Sequence, residues 1–269
     1  MICAVMGAEP WGEVHGVDVG DATSLLSLSD RFPGQHVLVL SPARLLPQAR
    51  KQASLLTAAR PLVPVAVRPV PLGILATRQM AADVVAAGVD PGQAVWWAEQ
   101  LVPHVRSLAW TQSVSRLEHP PAKLAQHVRS LLPGPGYLIT LGRDATVRPA
   151  VPAAWQHALD GLTHVVVAGE LPARAAAALD TAAGGVHVIR ATPAPGTAAL
   201  YGVTALVEMY GQDPSSPGAA PTGPACSVCD AQVVLPTCPY CGVAAARPAS
   251  SGAPSRTHTP IDVTGGGTA

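Results

Sequence analysis

Short β-branched runs bounded by turn residues alternate along residues 1–211 with stretches whose apolar positions fall at i, i+3, i+4 and i+7. The runs are ICAVMG at the start, Glu13–Val19, His36–Leu40, Val63–Val70, Leu108–Val114, Tyr137–Gly142, His164–Gly169 and Val186–Ala191. Each predicts a strand. His164–Gly169, HVVVAG, is apolar at alternate and intervening positions alike, as a strand buried on both faces would be. The helical pattern covers Pro42–Ala59, Ile74–Ala87, Pro91–Leu108, Pro121–Leu132, Pro152–Leu162, Pro172–Ala183 and Gly196–Tyr210. Several of these open on proline, which costs no hydrogen bond in a first turn, and Gly88, Gly184 and Gly185 stand where C-terminal caps belong. Pro103 should end or kink the helix that contains it. Strands separated by helices require crossover connections. The expected fold class is therefore α/β, a three-layer domain with a largely parallel or mixed sheet.

The pattern breaks near residue 212. Gln212–Ala225, QDPSSPGAAPTGPA, has almost nothing to bury and reads as a flexible linker. A short cysteine-rich segment follows, and the last stretch, AAARPASSGAPSRTHTPIDVTGGGTA, is of low complexity. The expected organisation is an α/β domain over 1–211, a linker over 212–225, a cysteine module over 226–243 and a disordered tail over 244–269.

Composition narrows the function classes. The 17 basic and 17 acidic side chains cancel, which removes the clustered positive charge that phosphate backbones or anionic lipid surfaces require. No apolar run approaches the ~20 residues of a membrane helix. The apolar start of the sequence has no basic residues before it, so a signal peptide is not expected. Two lysines against 15 arginines, with abundant Ala, Gly, Pro and Val, fit a GC-rich bacterial coding sequence.

The cysteines carry the most specific signal. Cys226 and Cys229 form one C-x2-C pair and Cys238 and Cys241 a second, with eight residues between. Each pair fits a tight turn that aims two sulfurs at one point, and two such turns give the tetrahedral all-sulfur set that zinc prefers. So short a segment builds no core, so its folding free energy would come from the metal. Redox dithiols and an iron–sulfur cluster are the alternatives for the same ligands. The segment resembles small bacterial zinc-ribbon modules, whose second knuckle commonly reads C-P-x-C-G; here it is Cys238-Pro239-Tyr240-Cys241-Gly242. Reduced thiols point to the cytoplasm. The fifth cysteine, Cys3, lies in the first apolar run and reads as a buried, inert thiol.

Familiar catalytic loops are missing from 1–211. There is no G-x-x-x-x-G-K-[ST], no G-x-G-x-x-G following a strand and no G-x-S-x-G. Ser41, at a strand end, reads as a helix N-cap. The histidines stand singly, none at i, i+4. Trp96 and Trp97 read as core or interface anchors, since no basic groove accompanies them.

One constellation has a family likeness. Gly16–Thr23, GVDVGDAT, is a strand followed by D-x-G-x-x-T, and Thr163–Tyr210 runs strand, glycine turn, helix, strand and small-residue segment. These segments resemble the actin-like ATPase superfamily of actin, heat-shock chaperones and sugar kinases. The resemblance implies that Asp18, Gly20 and Thr23 form a phosphate loop with magnesium held near Asp18, and that Gly169 abuts an adenosine. It further implies that Gly196, Ala199 and Gly202 lie on a close-packed final helix, with Tyr137–Thr146 as a middle loop. Leu141 and Glu170 depart from the family pattern and imply a degenerate, non-hydrolysing site.

The expected function is a non-catalytic binding or adaptor protein, a degenerate nucleotide-binding domain with a zinc ribbon for contact with a protein partner. One alternative is a phosphotransferase or ATPase using ATP and magnesium through Asp18 and Thr23. The other is a nucleic-acid regulator with the ribbon as reader, against which residues 226–242 hold no Lys or Arg.

Overall fold

The computed structural model describes residues 1–10, 12–118, 120–142, 144–193, 197–213 and 218–244. The middle of the expected linker (214–217), Gly196 and the tail beyond residue 244 lie outside the described residues.

The α/β expectation holds, with two sheets carrying the fold. The first has the order β2-β1-β3-β4, built from β1 (Ile2–Met6), β2 (His15–Val17), β3 (Val37–Pro42) and β4 (Val65–Val70), all parallel. Its alternating side chains bury both faces. Ile2, Ala4, Met6, Val37 and Val39 pack with Leu25 and Leu28 of α1 (Ser24–Arg31) and with Ala49 and Leu56 of α2 (Leu46–Ala59). Cys3, Val5, Leu38 and Leu40 meet α3 (Ile74–Ala86) and α4 (Pro91–Leu101) on the other face.

The second sheet has the order β7-β6-β5-β10-β8-β9. Its strands are β5 (Val105–Thr111), β6 (Tyr137–Leu141), β7 (Thr146–Pro149), β8 (His164–Ala168), β9 (His187–Ala191) and β10 (Val207–Gln212). Only β8 and β9 pair in parallel; the remaining pairs are antiparallel. One face packs on α6 (Pro152–Leu159) and α7 (Ala173–Ala183) through Trp155, Leu179, Val165 and Val167. The other face brings Val105, Ala168 and Tyr210 into the cluster around α3, so α3 lies between the two sheets. A short helix α5 (Leu124–Arg129) lies between β5 and β6, and α8 (Thr197–Leu200) lies between β9 and β10.

Most expected elements are present, with three corrections. The helix expected over Gly196–Tyr210 shortens to α8 and ends in strand β10, because Val207 and Met209 alternate into the α6/α7 core while Tyr210 faces α3. Pro103 ends α4, after which β5 begins at Val105, earlier than expected. Ser41 belongs to β3 and does not cap α2, which has no side-chain cap. Cys3 is buried, and burial pushes its thiol up to about 12, the inert state expected of it. Among the described residues no helix is long and apolar enough to cross a membrane.

Candidate functional site

The four ribbon cysteines converge. Their sulfurs all lie within 4.8 Å of one another, with Cys226 Sγ 3.3 Å from Cys241 Sγ and Cys229 Sγ 3.5 Å from Cys238 Sγ. No pair is bonded as a disulfide. Sulfurs on a tetrahedron with ~2.3 Å metal–sulfur bonds are about 3.8 Å apart, so the set fits a zinc-sized ion. The two knuckles share one backbone design. Asp230 N donates to Cys226 O at 3.0 Å, and Gly242 N donates to Cys238 O at 2.9 Å. Both turn residues have positive φ, 60° at Asp230 and 73° at Gly242. Hydrogen bonds from the backbone, that of Val228 first, hold the Cys226 thiol below its ordinary value, whereas burial raises the thiols of Cys229 and Cys241.

The module is seated on the first sheet's helices. Asp90 N-caps α4 by accepting from Gly92 N at 2.9 Å, and the same oxygen accepts from Gln232 N at 2.8 Å. Tyr240 donates through its hydroxyl to Pro91 O at 3.1 Å and sets its ring edge-on to His36, 4.8 Å between centroids. Gln93 Nε2 donates to Pro221 O at 3.0 Å, which fixes the far end of the linker. Leu235 and Tyr240 join the hydrophobic cluster around α3 and α4. The ribbon thus contacts this chain's own helix N-terminus.

The residues expected to hold phosphate are placed differently. Asp18, Gly20 and Thr23 lie on the exposed loop that leads from β2 into α1. Gly20 N donates to Asp18 Oδ1 at 2.8 Å, and both the amide and the hydroxyl of Thr23 donate to Asp21 Oδ1 at 2.8 Å. The two carboxylates therefore organise a turn before a helix. β1 and β2 run parallel, so this loop does not close the hairpin on which the actin-like phosphate loop is built. Gly169 sits on the second sheet, at the end of β8, with a φ of 114° that suits glycine. Its amide donates to Ala191 O at 3.2 Å. Gly202, expected on a final helix, is in a turn with φ 72°.

A cleft of about 460 Å³ lies elsewhere, at the end of the second sheet beside α6. That volume falls within the ~300–1,000 Å³ of small-molecule sites. Register explains its lining. Leu108 pairs with Thr140, Thr140 with Thr146 and Leu138 with Arg148, so these side chains share one face with Arg106. Val105, Leu108, Leu138, Ala154 and Ala158 supply an apolar wall. The hydroxyls of Thr140 and Thr146 bond each other at 2.7 Å. Arg106, Arg148, His157 and one carboxylate, Asp144, complete the lining. Neither arginine forms an ion pair among the described residues. An apolar wall with a net cationic set of polar groups suits an amphipathic anion. The sequence did not single out Arg106, Arg148 or His157 as a group, because only strand register brings them together.

Comparison with solved structures corrects the actin-like expectation. No family model matches the sequence, and no curated protein matches it. Solved structures of DegV family proteins match over nearly their whole length and about four-fifths of this chain. One is a DegV family protein from Eubacterium eligens loaded with heptadecanoic acid, with TM-score 0.58 and 11% identity over 78% of this chain and 98% of that one. A DegV family protein from Corynebacterium glutamicum gives TM-score 0.57 and 11% identity over 80% and 97%. A third, from Thermus thermophilus and described by its fatty acid binding, gives 0.54 and 13% over 78% and 98%. This chain has a DegV-like fold, with two sheets and α3 between them.

Proposed function

We propose that this chain is a non-catalytic binding protein for a long-chain carboxylic acid, held in the cleft beside α6. The supporting observation is coverage: the body of this chain spans 98% of a DegV family protein loaded with heptadecanoic acid. The cleft adds a chemical reason, since an acyl chain would lie along Leu108, Leu138, Ala154 and Ala158 while its carboxylate meets Arg106, Arg148 and His157. The earlier nucleotide reading loses its basis, because Asp18 and Thr23 serve a helix start. The four cysteines hold structural zinc in this reading, which closes the coordination sphere and leaves no position for catalysis. Four thiols left free for a metal support a cytoplasmic setting in this reading, where a protein partner would receive or deliver the acid.

The test is titration of delipidated protein with straight-chain acids from octanoate to oleate. The expected result is one saturable site whose affinity rises with chain length, as burial of methylene groups requires. Replacing either Arg106 or Arg148 by Ala should weaken binding by roughly 10- to 100-fold, as loss of one charge-assisted hydrogen bond worth ~1.5–3 kcal/mol dictates. Ala158→Trp should block the cleft. Absence of saturable binding in folded, delipidated protein would overturn the reading, as would binding indifferent to all three changes.

A further inference from the structure

The start of α3 has no cap of its own. Its N-cap, Gly73, has no side chain, and the preceding Pro71 and Leu72 offer no acceptor. The orphan amides of that first turn are met from the second sheet. Gly73 N donates to Ser107 Oγ of β5 at 2.9 Å. Ile74 N donates to Glu208 Oε1 of β10 at 3.0 Å, and Leu75 N donates to Oε2 at 3.1 Å. The hydroxyl of Tyr201 donates to Oε1 at 3.0 Å. Both carboxylate oxygens are therefore gripped, in a setting where Glu208 is only 5% and Tyr201 only 3% exposed.

The fit is close. A Cβ on Gly73 would come within 2.6 Å of Glu208 Oε1 and 2.8 Å of the Tyr201 hydroxyl oxygen. Tyr201 is itself held from outside, with the Arg44 guanidinium 5.2 Å over its ring. A fully buried carboxylate is costly unless its oxygens are satisfied, and here two amides, a phenol and the positive end of a helix of 13 residues satisfy it. Burial still pushes the Glu208 carboxyl above the usual carboxylate range. The pocket thus has what a receptor for a free carboxylate needs: two-point recognition of the oxygens, exclusion of water and a glycine that lets the anion approach.

We infer that the junction between the two sheets is a carboxylate-binding site that the chain fills with its own Glu208, and that a small free carboxylate enters it once that side chain is removed. In the native protein the internal ligand ties β10 to α3 and keeps external acids out of this position. The inference stands independently of what the cleft beside α6 binds.

The experiment follows from the atoms. Glu208→Ala removes a methylene and a carboxylate, the heavy atoms of acetate. Melting of E208A is followed in acetate, in acetamide and in chloride at equal ionic strength. The variant should melt below the native protein, and acetate should restore melting temperature saturably, as a ligand of the folded state does. Acetamide and chloride should not restore it, and the native protein should not respond to acetate. Adding Tyr201→Phe should weaken the rescue. Rescue by acetamide equal to that by acetate would overturn the inference, as would no rescue or an equal response of the native protein. Should E208A not fold in plain buffer, it is refolded from denaturant in acetate and in acetamide. Recovery in acetate alone supports the site, and the same outcome in both solutions overturns it.

Discussion

Asp90 Oδ1 joins two segments 142 residues apart in sequence, accepting from Gly92 N at 2.9 Å and from Gln232 N at 2.8 Å. One carboxylate oxygen thereby caps α4 and docks the cysteine module. Asp90→Ala should cost more than an ordinary N-cap loss of ~0.5–2 kcal/mol, because a second amide loses its acceptor as well. Asp90→Asn keeps an acceptor and should cost less. Chemical denaturation of the two variants checks the order, and equal stabilities would refute the shared role.

Gly92 lies directly beneath the docked module. A Cβ there would strike the Gln232 carbonyl. Gly92→Ala, usually favourable inside a helix, should here destabilise by about 1–3 kcal/mol, the cost of overpacking. Faster protease cleavage between 218 and 244, with the main body intact, is the expected readout.

The paired positive-φ residues of the knuckles predict opposite responses. Asp230 has φ 60° and Gly242 φ 73°. Asp230→Gly should be neutral or stabilising, whereas Gly242→Val should cost about 1–2 kcal/mol of left-handed strain and weaken metal retention. Metal content after dialysis against a mild chelator separates the two.

Metal removal should act locally first. The purified protein should carry one zinc per chain, and a strong chelator should lower the melting temperature while releasing Tyr240 from its contact with His36. Cys238→Ser should reproduce the effect without chelator. A metal-free protein of unchanged stability would contradict a structural role.

Trp155 is wholly buried on α6, and its indole Nε1 finds no partner among the described residues. Trp155→Phe removes that unsatisfied N–H and should cost under ~1.5 kcal/mol, while Trp155→Ala should cost about 3–5 kcal/mol through the cavity.

What the sequence disclosed follows the range of the interactions. Strands β1 and β3 are legible because both of their faces are buried, which makes them continuous apolar runs, and β8 is legible as an apolar run although His164 and Val166 are only half-buried. The metal ligands are legible because knuckle spacing is local. β10 is not: Leu206, Val207 and Tyr210 also satisfy a helical spacing, and Glu208 reads as a solvated position. Its amide partners at Ile74 and Leu75 lie 134 and 133 residues away, so no local pattern marks it as buried. The cleft depends on the pairing of β5, β6 and β7, and β7 is short and largely unburied, which left it without a sequence signature. The Asp18 loop misled for the converse reason: an Asx turn before a helix uses the same Asp, Gly and Thr residues as a phosphate loop.

The most direct measurement is the crystal structure of the protein with a bromine-tagged stearate, located by anomalous scattering. Bromine density is expected along the wall formed by Leu138 and Ala158, with the carboxylate beside Arg106 and Arg148 and Glu208 still seated on Ile74 and Leu75. Density at any other site, or an empty cleft in protein saturated with the acid, would contradict the proposed site.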